Sequence, residues 1–140
     1  MTARVWDLAS GEEIIAFTGH SQAVTAVACG VLDGQPVAVT ASRDTTARVW
    51  DLATADEITT LTGHTQPLRA VACNALDDGL VTVTTSYDGS TRVWRTMPSN
   101  RYEEGATFSG HSGLVLSTAC GVLGGRPVAV SASQFGNIYV

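Results

Sequence analysis

Two sets of side chains have the types that a hydrolytic triad needs. His20, Ser42 and Asp44 bring an imidazole, a hydroxyl and a carboxylate into one short stretch, and His64, Ser86 and Asp88 repeat the set 44 residues later. Held in line, such a trio would activate the hydroxyl as a nucleophile. A triad occurs once per site, however, and this set occurs twice in equivalent positions. No Gly-x-Ser-x-Gly segment is present to raise a serine on a strained elbow. The repetition points to a structural use of the three groups, and no catalytic residue is expected.

Cys29, Cys73 and Cys120 each follow a histidine (His20, His64, His111) by nine residues, and no Cys-x-x-Cys is present. Small apolar packing residues are the simpler reading, so neither a metal site nor a cofactor is expected. Gly124-Gly125 precedes an extended run and not a helix, so it reads as a turn and not a phosphate cradle. An odd number of cysteines leaves one unpaired in any disulfide scheme, which suggests a reduced, cytoplasmic protein.

The elements that position these residues must be short strands. The chain has 140 residues, 44% of them hydrophobic, and a net charge of −5. Val, Thr and Ala dominate, which favours strands over helices. All eight basic residues are Arg and they are scattered, an arginine bias that suggests a GC-rich, bacterial genome. Without a basic stripe no nucleic-acid partner is expected, and an acidic surface binds anionic membranes poorly. No apolar run approaches the ~20 residues needed to span a bilayer, and no signal peptide is visible.

Internal repetition organises the chain. Gly19-His20 returns as Gly63-His64 and Gly110-His111, at intervals of 44 and 47. Trp6 returns as Trp50 and Trp94, and Thr2–Ala9 is identical to Thr46–Ala53. The three extra residues of the longer interval fall in or beside Arg95 to Gly105. Each period holds four extended runs, near Ala23–Cys29, Pro36–Ser42, Thr46–Asp51 and Glu57–Thr62 in the first full copy. Four antiparallel strands per ~44 residues make one propeller blade. The expected fold is therefore all-β, with β-propeller blades of four antiparallel strands in an incomplete array of about three. Residues 1–18 supply the last two strands of a preceding blade, 19–62 and 63–109 form two blades, and 110–140 form an incomplete one.

Gly-His before the first strand, Ser-x-Asp between the second and third, and Trp-Asp closing the third resemble the WD-repeat family. They read Gly19-His20, Ser42-Arg43-Asp44 and Trp50-Asp51, then Gly63-His64, Ser86-Tyr87-Asp88 and Trp94-Arg95. The resemblance covers essentially the whole chain. It implies hydrogen-bonded tetrads at His20, Ser42, Asp44 and Trp50, and at His64, Ser86, Asp88 and Trp94. It also implies a scaffold for protein–protein interaction, as in the sensor parts of larger signalling proteins. A ligand-binding or enzymatic propeller would need unpaired carboxylates or histidines on the innermost strand, where only Arg69 is charged. A non-functional remnant is the third reading.

Partner contacts are expected at the exposed turn between the second and third strands. Arg43, Tyr87 and Gln134 are equivalent there, and Gln22 and Gln66 belong to the same rim. The longer loop with Met97, Pro98, Arg101 and Tyr102 reads as a solvated insertion. In the last copy Phe135 takes the place of the aspartate, and Val140 lies one position before the next expected Trp. Propellers close with ~4–8 blades, so the open ends need cover. A wet blade face of ~400 Å² forgoes ~10 kcal/mol. Membership of a longer propeller is the preferred expectation. The alternative is self-association, with Ile14–Thr18 of one copy completing Leu114–Val140 of another and Thr2–Trp6 left over.

Overall fold

The computed structural model describes residues 1–99 and 101–134 in full and the backbone of 138–139. It is all-β, as β-branched runs broken by Gly and Asp turns require. A two-stranded sheet comes first, β1 (Thr2–Trp6) with β2 (Glu13–Thr18). Two four-stranded sheets follow: β3 (Val24–Leu32), β4 (Gln35–Ser42), β5 (Ala47–Asp51) and β6 (Glu57–Leu61), then β7 (Leu68–Leu76), β8 (Gly79–Ser86), β9 (Thr91–Thr96) and β10 (Tyr102–Phe108). The last sheet holds β11 (Val115–Leu123), β12 (Arg126–Ser133) and β13 (Ile138–Tyr139). Strands pair in chain order and antiparallel throughout, giving an incomplete set of propeller blades.

The innermost strand of each blade runs about three residues further than the expected Ala23–Cys29. Asp33 and Gly34 explain this, because φ values of 50° and 74° close a two-residue hairpin whose twist matches that of its strands. Pairing therefore continues to Leu32↔Gln35.

Apolar side chains fill the space between blades. Val37, Val39, Val49, Leu61, Leu68, Leu80 and Trp94 form one buried cluster that joins the two complete blades. Phe17, Ala38 and Trp50 form a second, which ties the β1–β2 pair to the first complete blade. Close approach sets the residue at Gly30, where an added Cβ would lie 2.8 Å from Leu80 and 3.0 Å from Cys73. The thiol of Cys73 itself reaches the carbonyl of Cys29, at 3.1 Å. The three cysteines are free, and Cys29 is exposed.

Candidate partner-binding face

Each complete blade carries one continuous hydrogen-bond chain. In the first, the Trp50 indole N–H donates to Thr40 Oγ1 at 2.8 Å. Thr40 Oγ1 lies 2.7 Å from His20 Nε2, and His20 Nδ1 lies 2.8 Å from Asp44 Oδ2. A carboxylate only accepts, so Nδ1 carries the proton, Nε2 accepts, and the threonine hydroxyl donates. The second blade repeats the chain through Trp94, Thr84, His64 and Asp88, at 2.8 Å for each step.

This corrects the expected membership of the tetrads. Ser42 and Ser86 do not lie between histidine and tryptophan; Thr40 and Thr84 do. Ser42 Oγ donates to the Gln22 carbonyl at 3.1 Å and accepts the Asp44 backbone N–H at 3.1 Å. Ser86 does the same with the Gln66 carbonyl and the Asp88 backbone. The physical reason is the two-residue period of a strand. Positions 40 and 42 share a face, but only 40 lies opposite the third strand near Trp50, whereas 42 has reached the turn. The sign in the sequence was the hydroxyl at 40, 84 and 131, recurring beside the more conspicuous Ser-x-Asp.

The electrostatics suit a fixed strut. Burial would raise the Asp88 carboxyl, but hydrogen bonds from Ser90, His64 and the Ser90 and Thr65 backbones outweigh it and bring the pKa down to about 2. Asp44 is lowered against its burial in the same way, by Thr46 and His20. Burial lowers His64, and the Asp88 carboxylate only partly offsets this. A neutral His64 is what the chain requires, since its Nε2 must accept. Thr40, Ser42, Thr84 and Ser86 are completely buried, so no hydroxyl of the set is open to a substrate. Among the described residues no group of three His, Cys, Asp or Glu could hold a metal ion.

The turns after the second strands carry the residues expected at the rim. The backbone N–H groups of Arg43, Tyr87 and Gln134 donate to the carbonyls of Ala23, Pro67 and Leu114, at 2.9, 3.1 and 3.0 Å. Three turns are thus pinned to the start of the innermost strand while their side chains stand in solvent. Gln22 and Gln66 are exposed beside them. Tyr87 and Gln134 come together across a blade junction, in a shallow groove of about 350 Å³ with Leu114 and His111. Arg43 lies on the neighbouring blade and does not line it. The expected change at Phe135 lies outside the described residues.

The opposite end differs between repeats. Asp7 and Asp51 each accept two backbone N–H bonds that close the turn after the tryptophan strand. In the second blade Arg95 stands in that place and pairs with Asp78 at 2.6 Å. With that acceptor gone, the turn is rebuilt as a longer loop closed by Met97 N–H on the Arg101 carbonyl. The insertion narrows to the span between Trp94 and Glu104. Tyr102 is no solvated loop residue: its ring packs edge-on to Trp94 at 5.9 Å.

Blades of this topology, each braced by a His–Asp and Trp–Thr strut, define a β-propeller repeat protein. The family model "WD domain, G-beta repeat" matches residues 11–51 and 55–95, more than half of the chain. The chain belongs to that family. Its repeats generally mediate protein–protein interaction, and the family is typically a non-enzymatic scaffold. A search of the curated proteins gives no match.

Proposed function

We propose that the chain is a protein-binding scaffold of a cytoplasmic signalling or regulatory assembly, and that its partner seats on the rim formed by Gln22, Arg43, Gln66, Tyr87 and Gln134. One observation carries this reading. Three equivalent turns have their backbones tied to strands while Arg43, Tyr87 and Gln134 remain exposed. A backbone already held in place loses little freedom on binding, so contact energy is not spent on ordering loops. Arg and Tyr are also the types that dominate binding energy at interfaces. The function is presentation on a rigid ring, with no chemistry on the partner.

Photo-crosslinking in cells tests it. A photoreactive phenylalanine at position 87 is expected to give discrete protein adducts that weaken in an Arg43→Ala background. The same group at position 8, where Leu8 is 98% exposed at the other blade end, serves as the control. Adducts from position 8 alone, or none from 87, would overturn the reading.

A further inference from the structure

The repeats agree where blades are built and differ where the rim is exposed. Arg43 stands where the other repeats have Tyr87 and Gln134, and Arg69 stands where they have Thr25 and Leu116. Thr25 serves the scaffold, because its hydroxyl donates to the Leu68 carbonyl of the next blade at 2.9 Å. Arg69, at the rim end of β7, is exposed, and so is Arg43. Arg4, Arg48, Arg92 and Arg95 are in ion pairs, whereas neither Arg43 nor Arg69 meets a carboxylate among the described residues.

The two free arginines belong to one part of the surface. The Arg43 N–H is held by the Ala23 carbonyl, and two residues further on Thr25 is held against Leu68, the neighbour of Arg69. Packed sheets lie about 10 Å apart, and alternate side chains of an extended segment lie about 7 Å apart on one side. Two carboxylates two positions apart therefore match the pair of guanidinium groups.

The chain's own carboxylates are sorted the other way. Of its thirteen Asp and Glu side chains only Asp44 and Asp88 lie at the rim end. The rest sit at the opposite end or in the adjoining part of the outermost strands. Asp44 accepts from His20, from the Ser21 and Thr46 backbones and from the Thr46 hydroxyl, and its side chain is 6% exposed. Asp88 accepts the equivalent four bonds and is 11% exposed. The charge that the rim offers to a partner is therefore cationic. Arg43 and Arg69 balance Asp44 and Asp88, so the whole net charge of −5 belongs to the rest of the chain. An acidic segment is repelled from the far end and met by free guanidinium groups at the rim.

Beyond Arg69 lies the groove of Tyr87, Leu114 and Gln134. Gly89 and Gly113 line it where the preceding repeat has Thr45 and Gln66, which leaves room for an apolar side chain beside the Tyr87 ring.

Resting on the rim reading above, we infer that the partner presents an extended acidic peptide segment. Two of its carboxylates pair with Arg43 and Arg69, and an apolar side chain enters the groove at Tyr87. The exposed amides of Gln22 and Gln66 offer donors and acceptors to its backbone. Two free arginines are too few to neutralise a nucleic-acid strand, which carries a phosphate at every residue. They suit a short run of carboxylates, each of which a guanidinium takes bidentately.

Fluorescence anisotropy on the purified 140-residue chain tests the inference. The probe is a labelled peptide Ser-Glu-Ser-Glu-Ser-Ser-Leu-Ser, and the comparison replaces its Glu with Gln. Saturable binding of the acidic peptide is expected, about tenfold tighter than the Gln peptide and weakening with salt. Arg43→Gln and Arg69→Gln should each lose about fivefold with unchanged circular dichroism. Arg126→Gln, at an exposed arginine of the opposite end, should leave binding as it was. Equal binding of the two peptides, no binding of the acidic one, or binding that survives both rim variants overturns the inference. So does tighter binding of a labelled oligothymidylate. Photo-crosslinking at position 87 separates this inference from the rim reading. Adducts that persist unchanged in an Arg69→Glu background keep the rim and remove the acidic segment, whereas absence of adducts in every background removes the rim itself.

Discussion

The indole N–H of Trp50 donates to Thr40 Oγ1 at 2.8 Å, and Trp94 does the same to Thr84 at 2.8 Å. The hydroxyl is the joint of the whole strut, because it accepts from tryptophan and donates to histidine at once. Both threonines are completely buried, so nothing in solvent can replace them.

Thr40→Val keeps the shape and leaves Trp50 Nε1 and His20 Nε2 without partners. It is expected to cost about 2–6 kcal/mol, since each of the two orphaned buried groups loses about 1–3. Ser42→Ala removes two turn bonds and should cost about 1–2 kcal/mol. Urea midpoints at constant slope measure both. The opposite ranking would show that the serine carries the strut.

Acidification should weaken the second blade in two steps of the same sign. His64 is lowered from 6.5 by burial. Below pH 6.5 the unfolded chain takes a proton that the native chain refuses, so stability falls as pH drops from 6.5 towards the native value. Asp88 is held at about 2 against 3.8 unfolded. Its contribution, at most about 2 kcal/mol, is fully present above pH 4 and is lost as pH falls through 2. Thermal midpoints between pH 8 and 2 report this. A midpoint that rises from pH 7 to 5 would contradict the neutral-histidine strut.

Besides Asp33 in its hairpin, two further turns hold side chains in the left-handed region. Thr45 has φ 74° where the next repeat has Gly89, and Ala55 has φ 64° where the preceding repeat has Gly11. Thr45→Gly and Ala55→Gly are each expected to stabilise by about 1 kcal/mol, with the β-branched Thr45 giving the larger gain. Denaturant midpoints read the effect, and a loss in both variants would refute the strain.

The second blade buries hydroxyls where the first has methyls. Thr85 and Thr91 are paired across strands, with Oγ1 atoms that have no partner, and the equivalent first-blade pair is Ala41 and Ala47. Thr85→Val should raise stability by about 1 kcal/mol by removing an unsatisfied buried group of the same shape. Calorimetry showing a lower midpoint would mean that the hydroxyl is bonded in solution.

Much of the fold was legible because repetition makes a local signal count several times. The recurrence of Gly-His, Ser-x-Asp and Trp set the blade period, and the exposed positions 43, 87 and 134 followed from it. Thr40 was missed because a lone threonine in a Val- and Thr-rich strand looks like any other β-former. The role of Tyr102 was missed because packing on Trp94 joins residues whose strands only tertiary pairing aligns.

Sequence alone determined the four-strand blade, its period and the residues of the rim. Strand alternation and turn chemistry act over a few residues, and the repeats align them. Tertiary structure alone decided which hydroxyl joins histidine to tryptophan, since that depends on the register between three strands. It also decided how deeply a repeated residue is buried. Trp6 and Trp50 sit in identical segments, yet one is half-exposed and the other 2% exposed. Trp50 lies beside β4 with Thr40 as its acceptor, a neighbour that no local sequence can encode.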